Sequence, residues 1–128
     1  MDGDRIHLDT NYLIYYAHGG RAEVVERVQS WLRQGKSIYV SAMTWAEFQC
    51  GPLTMREHDL AHEIIHGVLP LTMEHGNSAG WLFSQTGRRP KSLADCLIAA
   101  TAIADGATLA TNNRSDFAPF LPHGLKLA

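Results

Sequence analysis

Along the chain, segments with hydrophobic residues at helical spacing alternate with short β-rich segments. Val24, Val28 and Leu32 recur at the spacing of one helix face, and the β-rich segment 37–41 follows after Gly35. The same alternation continues to the C-terminus. It predicts strands at 6–8, 37–41, 68–71, 108–111 and 125–127, and helices at 12–17, 24–32, 42–49, 55–66, 76–87 and 92–104.

Strands that alternate with helices favour a parallel sheet with right-handed crossovers and helices on both faces. The expected fold class is therefore α/β, a three-layer α/β/α sandwich around a mainly parallel sheet of four or five strands. The 128 residues are 45% hydrophobic, which is enough for one domain with a single core. We find no internal repeat or linker.

Charge and cysteine content narrow the functional classes. The chain has 11 basic and 13 acidic residues, a net charge of −2, so phosphate binding would need local basic residues or bound cations. Cys50 and Cys96 fit no paired metal-ligand spacing and are expected to be buried thiols in a reducing compartment. The segment 1–5 lacks a signal-peptide pattern, and the longest apolar run, 97–104, is far shorter than the roughly 20 residues of a membrane span. We expect a cytoplasmic protein.

Four acidic residues follow or precede predicted strands. Asp9 ends the first strand, Glu47 lies beyond the second, Asp95 opens the helix before the fourth, and Asp116 follows the fourth. Ligands in such sheets collect at the carboxyl ends of the strands. Two carboxylates about 4 Å apart repel by about 4 kcal/mol at an effective dielectric of about 20, so a cluster of four needs cations or protonation. Oxygen ligands suit Mg²⁺ or Mn²⁺.

Each acid also has a purely structural explanation. Asp9 is placed to cap the first helix. The segments 44–47 and 92–95 have capping-box spacing, which would account for Glu47 and Asp95. Asp116 fits a solvated turn. Only the four acids as a set indicate a site.

A competing motif lies in the segment 62–66, His-Glu-Ile-Ile-His, which matches the HExxH zinc pattern. His58 extends the same helix face, but the rise from His58 to His66 is about 12 Å, too far for all three to share one ion. No third ligand is evident elsewhere. A zinc protease is therefore a weaker alternative, as is a non-catalytic interaction module built on the fold alone.

Four stretches of the chain together resemble the PIN domain family, and specifically VapC-type toxins, over essentially the whole length. They are LDTN at 8–11, SAMTWAE at 41–47, ADCLIAATA at 94–102 and TNNRSDF at 111–117. The resemblance implies that residues 1–128 form a single PIN domain. It implies an RNA-hydrolysing endonuclease that uses Mg²⁺ or Mn²⁺, forms a homodimer, and is inhibited by a cognate VapB-like antitoxin.

The resemblance also assigns residues. It implies an acidic metal site with supporting polar residues: Asp9, Glu47, Asp95 and Asp116, with Thr10, Asn11 and Thr111. Many relatives carry a basic residue directly after the Thr111 position, where this chain has Asn112. Candidates for a replacement RNA contact are Arg88, Arg89, Lys91 and Arg114. Part of the tyrosine cluster at 12, 15 and 16 is expected at a dimer or antitoxin surface.

Overall fold

A computed structural model of the protein describes residues 4–128, in which five strands form one sheet. The strands are β1 (Arg5–Leu8), β2 (Ser37–Ser41), β3 (Gly67–Leu69), β4 (Thr108–Ala110) and β5 (Lys126–Leu127). Their order is β3-β2-β1-β4-β5, and every neighbouring pair is parallel. The predicted α/β class is confirmed.

Helices connect the strands and cover both faces of the sheet. They are α1 (Thr10–His18), α2 (Ala22–Arg33), α3 (Ala42–Cys50), α4 (Met55–Ile64), α5 (Met73–Gln85), α6 (Leu93–Ala104) and the short α7 (Arg114–Phe117), followed by a 3₁₀ segment at Ala118–His123. No helix in residues 4–128 is long and apolar enough to cross a membrane.

Two hydrophobic cores lie on opposite faces of the sheet. On one face, Ile6 and Leu8 of β1 pack with buried residues of α1, α2 and α4. On the other face, Leu109 of β4 packs with α5, α6 and the 3₁₀ segment. This three-layer arrangement holds the loops at the carboxyl ends of β1, β2 and β4 close to one another.

Hydrogen bonds explain why two helix boundaries differ from the sequence prediction. Helix α5 begins at Met73 instead of Gly76, since Thr72 and His75 form a capping box at its start. Helix α4 ends at Ile64 instead of His66. Ile65 has an extended backbone, and His66 bonds to β2: its N–H donates to Ile38 O at 2.7 Å, and its Nδ1 accepts from Ile38 N at 3.0 Å.

The C-terminal third also refines the prediction. Strand β4 ends at Ala110, and part of the expected polar turn at 112–116 is helix α7. Ser92 precedes α6 but makes no side-chain cap; its hydroxyl donates instead to Arg89 O at 2.8 Å. The predicted capping role of Ser92 is therefore wrong.

Burial changes two further expectations. Both cysteines are free, but only Cys96 is buried, so the expectation is wrong for the exposed Cys50. Tyr12 and Tyr16 are core residues, and only Tyr15 is half-buried. Tyr12 and Tyr16 are therefore not available to a partner surface. Residues 1–3 of the segment used for the signal-peptide expectation lie outside the described residues.

Candidate metal and phosphate site

Three of the four acids line one small cleft beyond the carboxyl ends of the strands. The cleft has a volume of about 130 Å³ and is lined by Asp9, Thr10, Asn11, Glu47, Asp95, Ile98, Asn113 and Phe117. Asp9 follows β1 directly, Glu47 lies in α3 after β2, and Asp95 lies in the first turn of α6. Four sequence-distant segments, including the one after β4, thus meet at one place.

Asp9 combines a structural role with a place in the cluster. Its side chain is buried, and its Oδ1 accepts a hydrogen bond from Tyr12 N at 2.8 Å, which caps α1. Its Oδ2 accepts from the Thr111 hydroxyl. Burial raises the pKa of Asp9, the charge of Glu47 adds to this rise, and the two hydrogen bonds oppose it. The cap explanation is confirmed, yet each oxygen keeps a second lone pair for a further ligand.

Glu47 is oriented by a threonine of another helix. The Thr10 hydroxyl donates to Glu47 Oε1 at 2.5 Å. The residue that caps α3 is Ser41, whose hydroxyl accepts from Thr44 N at 3.0 Å. The capping-box explanation of Glu47 is therefore wrong, because Thr44 lies inside the helix and Glu47 faces the cleft.

Asp95 has the most perturbed carboxyl group of the cluster. Its pKa is raised from 3.8 to about 6, mainly by burial and then, in decreasing order, by the charges of Asp116, Glu47 and Asp9. Within the described chain, no hydrogen bond or ion pair engages this carboxylate. Since Ser92 makes no side-chain cap, the capping-box explanation fails for Asp95 as well.

Asp116 stands at the rim of the cluster. It lies in α7 and is exposed, as a solvated turn residue would be. Even so, its charge is the largest neighbouring contribution to the raised pKa of Asp95. Asp116 is thus electrostatically part of the cluster without lining the cleft.

The donor set fits a hard cation better than a soft one. All four side chains offer carboxylate oxygens, and their mutual repulsion would be relieved by bound positive charge. As the side chains stand, no three His, Cys, Asp or Glu residues in 4–128 form a group that could hold an ion. Ligation would therefore involve carboxylate rotation or bridging water, which is common for Mg²⁺ because it keeps several of its waters.

Comparison with known proteins assigns the family. The family model described as "PIN domain" matches residues 6–118, most of the chain. The chain belongs to the PIN domain family. A search among curated proteins gave no significant match.

Solved structures share this PIN fold at low sequence identity. A chain of VapBC2 from Rickettsia felis, bound to a DNA fragment from their promoter, superposes with a TM-score of 0.79 at 24% identity, covering 97% of each chain. A chain of VapBC-1 from nontypeable Haemophilus influenzae gives 0.72 at 24% identity, covering 97% of this chain and 96% of that one. A toxin-antitoxin complex from Klebsiella pneumoniae gives 0.71 at 23%, covering 88% and 90%.

Among the four basic candidates of this PIN domain, Arg89 is partly buried and its charge acts on an acid of the cluster. Arg89 lowers the pKa of Asp95 by its charge. Its Nη2 donates to the backbone O of Asp116 at 3.5 Å, while its buried Nε has no hydrogen-bond partner in the described chain. Its guanidinium carbon lies 5.7 Å from the centre of the Phe120 ring.

The other three basic candidates, Arg88, Lys91 and Arg114, are exposed. Arg88 and Lys91 both have left-handed backbones, with φ of 53° and 65°, which is uncommon for residues with side chains. Arg114 donates to the backbone O of Ala128 at 3.5 Å. The structure thus separates Arg89 from the rest of the basic loop.

Sequence reasoning missed three residues that line the cleft. The N–H of Asn113 donates to the Thr111 hydroxyl at 2.9 Å, which holds Thr111 toward Asp9. Ile98 and Phe117 form the apolar wall. The sequence carried a signal for Ile98, which lies three residues after Asp95 and so on the same helix face.

The HExxH motif does not form a zinc site on one helix. His62 is exposed on α4, whereas His66 lies beyond the end of that helix and bonds to β2. The predicted pairing of the two imidazoles on one helical face is therefore wrong.

Proposed function

We propose that this PIN domain is a Mg²⁺- or Mn²⁺-dependent endoribonuclease and the toxin of a VapBC-type toxin-antitoxin pair. The observation that carries the proposal is the meeting of Asp9, Glu47, Asp95 and Asp116 from four separate segments. Their mutual repulsion contributes to the rise in the pKa of Asp95 to about 6. A cluster of this kind costs stability unless a cation compensates it, which is expected of a functional site more than of a structural one.

The carboxylates have distinct parts in the proposed site. Asp9 and Asp95 would anchor the principal cation, and Glu47 and Asp116 would complete the site directly or through water. A cation held by these residues would lower the pKa of a water molecule and neutralise charge on the phosphate. Thr111 holds Asp9, and Thr10 holds Glu47, by the hydrogen bonds described above. Asn11 adds a polar group to the cleft.

One carboxylate would accept the proton of the attacking water. Glu47 and Asp116 are the two candidates. Glu47 lines the cleft and has one oxygen occupied by Thr10, whereas Asp116 is exposed. Hydrolysis by water leaves a 5′-phosphate and a 3′-hydroxyl on the RNA products.

Arg89 is the proposed contact to the scissile phosphate. A half-buried guanidinium that forms no ion pair with the adjacent carboxylates keeps donors available for an anion. Arg88, Lys91 and Arg114 are exposed and would contact the RNA backbone farther from the cut. Selectivity for one RNA would come from shape and unpaired bases.

The proposed partners are a VapB-like antitoxin and a second copy of the chain, with RNA cleavage in the cytoplasm. Support comes from the VapBC and toxin-antitoxin complexes whose chains share this fold. Several large apolar side chains are also exposed in the monomer, as a partner surface requires: Met73, Trp81, Leu93 and Leu121.

The direct test is cleavage of total cellular RNA by purified protein that is free of copurifying inhibitor. We expect cleavage with Mg²⁺ or Mn²⁺, none with EDTA, and a loss of at least about a hundredfold in Asp9→Asn and in Asp95→Asn, because each removes a charged ligand. Glu74→Gln, at an exposed acid of α5, is the matched control and should cleave like the wild type.

Other outcomes of this assay would reject parts of the proposal. Cleavage that persists in EDTA or in both variants would exclude the four-acid site. Products that end in a 2′,3′-cyclic phosphate would exclude attack by water. Absence of cleavage together with absence of divalent-cation binding would favour a non-catalytic interaction module.

A further inference from the structure

A histidine pair on α4 has no part in the carboxylate site. His58 and His62 lie four residues apart and share one face of this helix. Their ring centroids are 4.6 Å apart. Two imidazoles that bind one ion through bonds of about 2 Å have ring centres roughly 5 Å apart. The two rings therefore stand near the separation of a chelating pair.

The ring nitrogens of this pair are available to a ligand. In residues 4–128, neither imidazole makes a hydrogen bond or an ion pair. Other histidines differ in this respect: His7 bonds to Asp105 at 2.7 Å and His75 caps α5. His62 is exposed and His58 is half-buried, so an ion can reach both rings from solvent.

The indole of Trp45 supports both rings from α3. Its ring centroid lies 5.1 Å from that of His62, with an edge-to-face geometry, and 5.8 Å from that of His58. Contacts of this kind restrict the rotamers of the two imidazoles before any ligand binds. Less conformational entropy is then lost when an ion fixes them.

We propose that His58 and His62 form a binding site for a transition-metal dication such as Zn²⁺, Ni²⁺ or Cu²⁺, with water at the remaining positions. Imidazole nitrogens favour these ions, whereas Mg²⁺ favours oxygen ligands. The site is thus chemically distinct from the carboxylate cleft. It uses one histidine of the HExxH motif and replaces the other, His66, with His58.

Tight binding of the ion requires both histidines, because they chelate it together. Once one imidazole holds the ion, the second binds it at a high effective concentration. Removal of either ring should therefore weaken binding at least about tenfold. Trp45 lies two residues before Glu47 on α3, so an ion at this site also lies against the helix that carries a cleft residue.

The test is a calorimetric titration of the full chain with Ni²⁺ in millimolar Mg²⁺. The variants are His58→Gln and His62→Gln, because glutamine keeps the helix propensity of α4 high. The matched control is His123→Gln, which removes a histidine beside another tryptophan, Trp81, 5.1 Å away. A second control is Asp95→Asn, which alters only the cleft.

We expect a Ni²⁺ site whose affinity falls at least tenfold in each α4 variant and is unchanged in both controls. Ni²⁺ should also quench tryptophan fluorescence, with the same binding curve as in calorimetry. This quenching should disappear in Trp45→Phe. The fluorescence test therefore does not depend on whether the histidine variants fold. Equal Ni²⁺ affinity in wild type, His58→Gln and His62→Gln would overturn the proposal. So would absence of binding, or a loss confined to Asp95→Asn. RNA cleavage plays no part in these readouts.

Discussion

At the scale of single residues, burial and the neighbouring carboxylates disfavour the charged form of Asp95. Its folded pKa of about 6 exceeds its ordinary value of 3.8. Between these two pH values the folded protein therefore binds more protons than the unfolded chain. By linkage, the free energy of unfolding falls as pH rises through this window and stays lowered above it.

The substitution Asp95→Asn should therefore stabilise the metal-free protein at pH 7.5. The expected gain is about 1 kcal/mol once solvent screening of this partly exposed group is considered, and it should shrink at pH 4, where Asp95 is protonated. Urea unfolding at both pH values, with EDTA, measures it. With saturating Mg²⁺, the wild type should gain more stability than the variant, because it binds the cation more tightly. A variant less stable than wild type at both pH values would contradict this prediction.

The basic loop gives a second residue-scale prediction. Arg89→Gln should lower kcat/KM for RNA cleavage by roughly thirtyfold, since a charge-assisted hydrogen bond to phosphate contributes about 2 kcal/mol. Arg88→Gln, the adjacent control, should lose only a few-fold, mostly through a salt-dependent KM. Steady-state kinetics at two salt concentrations would separate the two effects. A larger loss in Arg88→Gln would show that the wrong arginine was assigned to the phosphate.

The sequence alone could not have chosen between these arginines. They are adjacent and chemically identical, and the choice depends on backbone direction. The left-handed φ of Arg88 and of Lys91 turns the loop, and the packing of Arg89 near Phe120 and Asp116 follows from that path. Neither residue type predicts a positive φ.

At the scale of elements, the caps of α3 and α6 decide whether Glu47 and Asp95 are structural. The capping-box spacing of 44–47 lies inside α3, which Ser41 caps instead. The spacing of 92–95 lies at the start of α6, but the Ser92 side chain makes no cap there. Helix spacing was predictable because hydrophobic periodicity is a strong signal. The residue that caps each helix was not predictable, because a small shift in the first helical residue makes a different side chain the cap.

A pair of substitutions tests the cap of α3. Ser41→Ala should lower the free energy of unfolding by about 1 kcal/mol, through loss of the bond to Thr44 N. Thr44→Val should be neutral or slightly stabilising, because the buried Thr44 hydroxyl has no hydrogen-bond partner in the described chain. Urea unfolding measures both. If Thr44→Val proved the more damaging change, the capping-box reading of 44–47 would be restored.

The end of α4 shows a further limit of sequence patterns. Spacing in the segment 62–66 is compatible with a continuous helix, and nothing local marks Ile65 as extended. The turn is fixed by β2, where the N–H and the C=O of Ile38 both bond to His66. A contact between positions 28 residues apart cannot be deduced from a five-residue motif.

At the scale of the whole molecule, the parallel sheet explains why the four acids meet. Strand order places β1 between β2 and β4, so the loops after these three strands are neighbours. This consequence was predictable from the alternation of strands and helices. The sequence did not predict that Asp116 would stand at the rim, because the short helix α7 replaced the expected turn.

The central claim is that these four carboxylates together bind Mg²⁺ or Mn²⁺. Calorimetric titration with Mn²⁺ tests this claim most directly. We expect wild-type protein and Glu74→Gln to bind Mn²⁺ at pH 7.5, with affinity at least tenfold weaker in Asp9→Asn and Asp95→Asn. Binding should also weaken in the wild type at pH 5.5, below the pKa of about 6 of Asp95. Mn²⁺ affinity that is unchanged by both cleft substitutions would contradict the account.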